Sequence, residues 1–280
     1  MGWERRIKTI TMKRRTLLFT VLLSGGLLSW NNASAQSVEF TWPGGKKAAV
    51  SMTYDDGILS QLDQAIPDLN EAGFPGTFYL TGMNLVPEYV ERWRAAAEEG
   101  HELGCHSLFH PCSGSFDWVR EEYRTESYTL QRILDEAKVM NQFLYAIDGK
   151  GQRSYAYPCY EKEVGGISYV DTLSRSGYFT GARGGFSPVG NTAKNLNLFD
   201  IPSLSITDDV PFEEVVDYVQ KAIDHGSLAV FCFHGVGGDH IRTSREYHRK
   251  IIAYLKEHNQ ELWVATLTEI SSYLGQQETP

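Results

Sequence analysis

Ala48-Ala49-Val50-Ser51-Met52-Thr53-Tyr54-Asp55-Asp56-Gly57 is the stretch on which the fold turns. Residues 48–54 form a short run of small, apolar and β-branched side chains, the pattern of a buried strand. Two carboxylates and a glycine end it, and a helix is predicted over 58–72, stopping at Gly73. The same unit recurs outward from this point. Strands are predicted over 76–80, 102–105, 155–157, 178–180, 199–201, 227–233 and 262–265. Helices are predicted over 87–99, 126–146, 212–224, 245–257 and 268–274. Such alternation argues for parallel strands wrapped by helices, an α/β fold. Seven or eight strands in one domain favour a (β/α) barrel, with an open doubly wound sheet as the alternative. No Gly-x-Gly-x-x-Gly follows the first strand, so a bound dinucleotide has no support.

The chain has 280 residues, 42% of them apolar, enough for one sizeable core. Its start reads differently. Arg5, Arg6, Lys8, Lys13, Arg14 and Arg15 precede the mostly apolar stretch Thr16 to Trp30, and Ala33-Ser34-Ala35 supplies a small-x-small site. This is the pattern of a secretory signal peptide over 1–35, cleaved after Ala35, with 36–280 as the mature domain of a secreted or periplasmic protein. The apolar stretch is short for a span, so no stable membrane insertion is expected after cleavage, a retained anchor being the alternative. Losing six basic residues and one acidic residue takes the net charge from −9 to −14. A surface so acidic repels phosphate backbones, so nucleic acid is excluded as a partner. Cys105, Cys112, Cys159 and Cys232 show no CxxC spacing; they read as small buried hydrophobes or, after export, as candidates for a disulfide.

The chemistry gathers at strand ends. Asp55 and Asp56 raise each other's pKa, a repulsion that a cation relieves, although one Asp alone would serve as a helix cap. His106 and His110 follow the third strand, and their spacing sets both imidazoles on one face if the loop turns helically. In a parallel barrel both motifs emerge at the same rim, where two His and one Asp leave coordination positions open. His234, ending the strand 227–233, reaches that rim too. His101, His225, His248 and His258 read as surface residues, and His240 as a loop residue able to line a cleft. Trp42, Trp118, Tyr160 and Phe186 are candidates for stacking on sugar rings, or for packing in the core.

Thr53 to Gly57, His106 to His110 and Val230 to His234 together resemble the first, second and last motifs of the polysaccharide deacetylases, carbohydrate esterase family 4, which share the NodB homology domain. The likeness runs from about Ala48 to Leu274. It implies a distorted (β/α) barrel of about seven parallel strands. It further implies a divalent metal, commonly zinc, with cobalt, nickel or manganese as alternatives, on Asp56, His106 and His110. Asp55 would be the general base and His234 the general acid. The implied activity is removal of acetyl groups from a poly- or oligosaccharide, with an N-acetylhexosamine polymer ahead of O-acetylated xylan and of a catalytically weak glycan-binding barrel.

Two motifs depart from that family. Ala156-Tyr157-Pro158-Cys159-Tyr160 lacks the expected Arg, for which Arg183 could substitute if it is not simply a solvated or glycan-contacting side chain. The fourth motif has no clear match, with Asp208 or Asp209 as stand-ins. The oxyanion N–H is expected from Cys159 or Tyr160, since Pro158 has none. Cys112 and Cys159 would lie on loops over one rim, close enough for a disulfide.

Overall fold

The computed structural model describes residues 41–185 and 193–277, so the signal-peptide expectation for 1–35 and the aromatic Phe186 lie outside the described residues. Strand β1, Ala48–Asp56, is buried at all nine positions. It is the centre of an eight-stranded sheet in which every pairing is parallel. On one side it pairs β9 (Leu228–Phe233). On the other, its first half pairs β10 (Leu262–Val264) and its second half β2 (Thr77–Leu80). Beyond β2 come β3 (Glu102–Cys105), β4 (Arg153–Ala156) and β7 (Phe179–Arg183); beyond β9 comes β8 (Leu204–Ser205). A two-stranded hairpin, β5 (Glu163–Val164) and β6 (Ile167–Ser168), stands apart.

Residues 198–206 complete the distorted barrel. Leu198 and Ile201 hydrogen-bond to Ala182 and Gly184 on the β7 side, after which Leu204 to Ile206 bond to β9. The strand predicted over 199–201 is therefore a single bridge, Arg183 to Ile201, and the regular ladder begins only at Leu204. Pro202 lies between them and has no N–H to carry a ladder through.

Side chains alternate along β1 as a strand requires. Ala48, Val50, Met52 and Tyr54 pack in the layer between sheet and helices, with Phe78, Trp93 and Phe231. Ala49 packs in the second cluster, with Tyr79, Ala156, Val230 and Ile201. Around the sheet lie α1 (Ile66–Ala72), α2 (Pro87–Glu98), α3 (Leu130–Asp148), α4 (Val170–Arg175), α5 (Phe212–His225), α6 (Arg245–Glu257) and α7 (Leu267–Gln277). The helix predicted from 58 opens as a π turn, Gln61–Ala65, before α1, and that predicted from 126 starts at Leu130, where the Thr129 side chain caps it.

Two histidines expected at the surface are buried. His101 accepts from Gly76 N–H at 3.0 Å and meets Asn70, and burial pushes its pKa down to about 4. His248 joins Tyr54 Oη at 2.7 Å to Asp68 at 3.4 Å. A helical position tells how often a face recurs, not which face a neighbouring polar group will occupy.

Asp68 is the polar joint between α1 and α6, since Arg245 grips both its oxygens and Arg249 adds a further contact at 2.9 Å. Burial alone would raise its pKa, but the hydrogen bonds from His248 and Arg245 outweigh burial and hold the carboxyl well below the ordinary range. A depressed carboxylate stabilises above its unfolded value, near about pH 4, and that stabilisation disappears as pH falls toward the folded value. Asp68→Asn should cost about 1–3 kcal/mol at pH 7, with the difference from wild type narrowing in urea melts taken at successively lower pH.

Candidate active site

Consecutive residues of a strand face opposite ways, so Asp55 and Asp56 would ordinarily diverge. Asp56 has φ 78° and Gly57 φ 66°, and this left-handed turn swings the Asp56 carboxylate to the rim. A Cβ at Gly57 would press on Leu80 Cγ at 3.0 Å, so the turn needs glycine. Asp56 Oδ1 lies 3.4 Å from His110 Nε2 and 3.7 Å from His106 Nε2. The loop between those histidines is not helical, since Ser107 and His110 have φ 61° and 51°; Ser107 Oγ accepts from His110 N–H and shapes the bend.

The Asp56, His106 and His110 donor atoms all fall within 4.8 Å of one another. His106 Nδ1 donates to Ala156 O at 2.9 Å, which leaves its Nε2 lone pair facing the carboxylates. Burial pushes the His106 pKa down to about 4, so the ring is neutral, the form that ligates. For Asp56, burial raises the pKa, but the His240 hydrogen bond and the imidazoles outweigh it and hold the group ionised. Two imidazoles and one carboxylate suit a divalent cation with open positions.

Asp55 sits beside this set, 3.6 Å from His106 Nε2. Its Oδ2 accepts from Arg183 Nη2 at 2.5 Å and meets Cys232 Sγ at 3.5 Å, while its buried Oδ1 has no hydrogen-bond partner among the described residues. Arg183 is wholly buried, its guanidinium 5.3 Å from the rings of both Tyr79 and Tyr160. Burial pushes the Asp55 pKa up, and the Arg183 charge foremost, with the imidazoles of His106 and His234 beside it, brings it back below the ordinary value. His234 Nε2 lies 3.8 Å from Asp55 Oδ2, and burial lowers its pKa. No Asp meets its buried Nδ1 among the described residues; Asp208 instead accepts from Ser244 N–H at the start of α6.

On the loop after β4, Tyr160 N–H is already donated to Tyr157 O at 3.0 Å, whereas Cys159 N–H has no partner among the described residues. Cys112 and Cys159 form a disulfide, Cα atoms 5.7 Å apart, tying this loop to that of His110. A cleft of about 700 Å³ opens over the centre, walled by Met83, Phe116, Trp118, Tyr160 and Ile241. Trp118 is 62% exposed, whereas Trp42 packs in the core. His240 also lines the cleft, 2.6 Å from Asp56 Oδ2. The sequence marked it only as a loop histidine, because its approach depends on how 235–243 folds back. All the described non-glycine residues with positive φ (Asp56, Ser107, His110, Cys159, Tyr160, Asp239 and Ile241) lie at this rim, Asp56 at the end of β1 and the others on the segments beyond the strand ends.

Residues 43–164 match the polysaccharide deacetylase family. The chain is 23% identical to a gellan lyase from a Bacillus species over 282 residues, covering 89% of this chain and 10% of that protein. It is 28% identical over 114 residues to the peptidoglycan-N-acetylmuramic acid deacetylase PdaA of Bacillus subtilis strain 168, covering 40% of this chain and 38% of PdaA. The matches thus span about a tenth and about two-fifths of these curated relatives. The solved structure of PdaA, a family 4 carbohydrate esterase, superposes with TM-score 0.51 at 19% identity, covering 81% of each chain. A candidate polysaccharide deacetylase from Mycobacterium smegmatis superposes with TM-score 0.58 at 18% identity, over 86% of this chain and 94% of that one.

Removing the guanidinium would leave Asp55 buried beside Asp56 with its main counter-charge gone. Arg183→Met should lower stability by about 3–5 kcal/mol at pH 7 in metal-free protein. Since Asp55 has a depressed pKa in the intact pair, the loss should shrink as pH falls through the carboxylate range, which urea unfolding at pH 7 and pH 4 would show.

Proposed function

We propose that the chain, which matches the polysaccharide deacetylase family over residues 43–164 and resembles carbohydrate esterase family 4 in its motifs, is a secreted or periplasmic, metal-dependent hydrolase that removes acetyl groups from a glycan, foremost an N-acetylhexosamine polymer or oligomer. The observation that carries this reading is the pairing of an ionised, Arg-anchored Asp55 with a separate Asp56, His106 and His110 donor set in one open cleft. A cation on that set, zinc or another divalent ion, would polarise the acetyl carbonyl and make an attacking water acidic.

Asp55 then serves as general base. Its Oδ2 is committed to Arg183, so Oδ1 is the oxygen that takes the proton from water. Arg183 fixes the orientation of the carboxylate and keeps it ionised. His234, whose Nε2 lies 3.8 Å from Asp55 Oδ2, is the general acid: once protonated, it delivers its proton to the leaving amine or alkoxide. Protonation is essential for an amine, whose anion is too basic to expel. Cys159 N–H is the backbone donor toward the tetrahedral oxyanion. Trp118 and Phe116, ring centroids 5.7 Å apart, give a sugar an apolar platform beside the centre. The name of PdaA, a deacetylase of an N-acetylated sugar polymer, supports an amide substrate. The basic and apolar leader with Ala33-Ser34-Ala35, and the disulfide, support export. No helix among the described residues is long and apolar enough to cross a membrane.

Acetate release from acetylated chitooligosaccharides and from acetylated xylan would test the reaction and rank the two bonds. Chelation should abolish release and zinc or cobalt restore it. Asp55→Asn should retain the metal while turnover falls by about 10²–10⁴-fold; full turnover in that variant would remove Asp55 from its role. Trp118→Ala should weaken binding of oligosaccharides by about 1–2 kcal/mol, seen as a higher KM at similar kcat.

A further inference from the structure

His240 has no part in the steps above, yet it makes the closest polar contact to Asp56. Its Nε2 is 2.6 Å from Asp56 Oδ2, whereas Oδ1 faces His110 at 3.4 Å and His106 at 3.7 Å. The carboxylate is divided, one oxygen toward the imidazole pair and one toward His240. An ionised carboxylate can only accept, so Nε2–H is the donor.

The backbone is built to hold that contact. Gly235 N–H bonds His240 O, Thr243 N–H bonds Gly235 O, and Gly237 N–H bonds Thr243 O, closing 235–243 into a tight loop. A Cβ at Gly235 would fall 2.0 Å from Gly238 O, so only glycine permits the closure. Asp239 and Ile241, on either side of His240, have φ 62° and 44°. Such a conformation is rare for a β-branched residue and persists where the surroundings impose it. The imposing group is Ser60, whose N–H donates to Asp239 Oδ2 at 2.7 Å and whose Oγ accepts from Val236 N–H at 3.2 Å. Ser60 stands four residues after Asp56, so one turn of chain locates both partners of the contact.

We propose that His240 is a positioning residue of the metal site. Its Nε2–H holds Asp56 so that Oδ1 alone is presented beside His106 and His110. The carboxylate then offers one oxygen rather than two, and a coordination position stays open for water and the acetyl group. This inference rests on the reading of Asp56, His106 and His110 as ligands. The side chain of His240 is half-exposed, so replacing it leaves the core intact.

The test is cobalt binding to the full chain, measured by visible absorbance against a competing chelator, for wild type, His240→Ala and His240→Gln. His240→Ala should bind cobalt about 10–100-fold more weakly, with the band shape of wild type. His240→Gln, whose amide N–H can reach the same oxygen, should recover most of the loss. Equal affinity in wild type and His240→Ala overturns the inference. An altered cobalt band in both variants overturns it as well, by making His240 a ligand. A wild type that takes up no cobalt overturns the metal reading, and this inference with it.

Discussion

The rim depends on one buried ion pair, Asp55 with Arg183 at 2.5 Å. Two adjacent carboxylates at a strand end repel each other, and desolvation adds to the cost. Histidines alone cannot offset this, because burial keeps His106 and His234 neutral. A permanently charged guanidinium from β7 can, and it is also gripped between the rings of Tyr79 and Tyr160. Arg183 has a second duty, since its backbone makes the bridge to Ile201 where the barrel closes. Charge balance at the centre and closure of the wall therefore fall on one residue.

Division of labour between the two carboxylates follows from that. Asp55 is held on one oxygen by Arg183, and Asp56 on one oxygen by His240. Each keeps its other oxygen for the centre. Side chains of the same type, one bond apart in sequence, thus acquire different surroundings, and the φ of 78° at Asp56 makes the separation possible.

Much of this was legible in the sequence for a simple reason. β1, β3 and β9 are short, buried runs that end sharply, and a parallel barrel sends everything following such runs to the same rim, so Asp55, Asp56, His106, His110 and His234 could be grouped without knowing a single distance. Arg183 was visible only as a possibility, because reaching Asp55 depends on a register no local pattern encodes. His240 was hidden further, behind a loop whose path is set by Gly235 and by Ser60. The helical turn on which the His106 and His110 spacing was conditioned is not the one that forms, because Ser107 and His110 take positive φ, and propensity describes what residues prefer and not what a crowded site compels. His101 and His248 were assigned to the wrong side of the boundary because their polar partners, Asn70 and Asp68, are distant in sequence.

The central place of β1 also sets an order of events as the chain is made. Its neighbour β2, with β3 and β4 beyond it, is available by residue 156, but its other partners come late, β9 beginning at Leu228 and β10 at Leu262. Until then the strand that bears both carboxylates has an open edge, and Arg183, His234 and His240 arrive one after another. The carboxylates are synthesised well ahead of their counter-charge, so a nascent chain carries its most repulsive feature unpaired until Arg183 has been made.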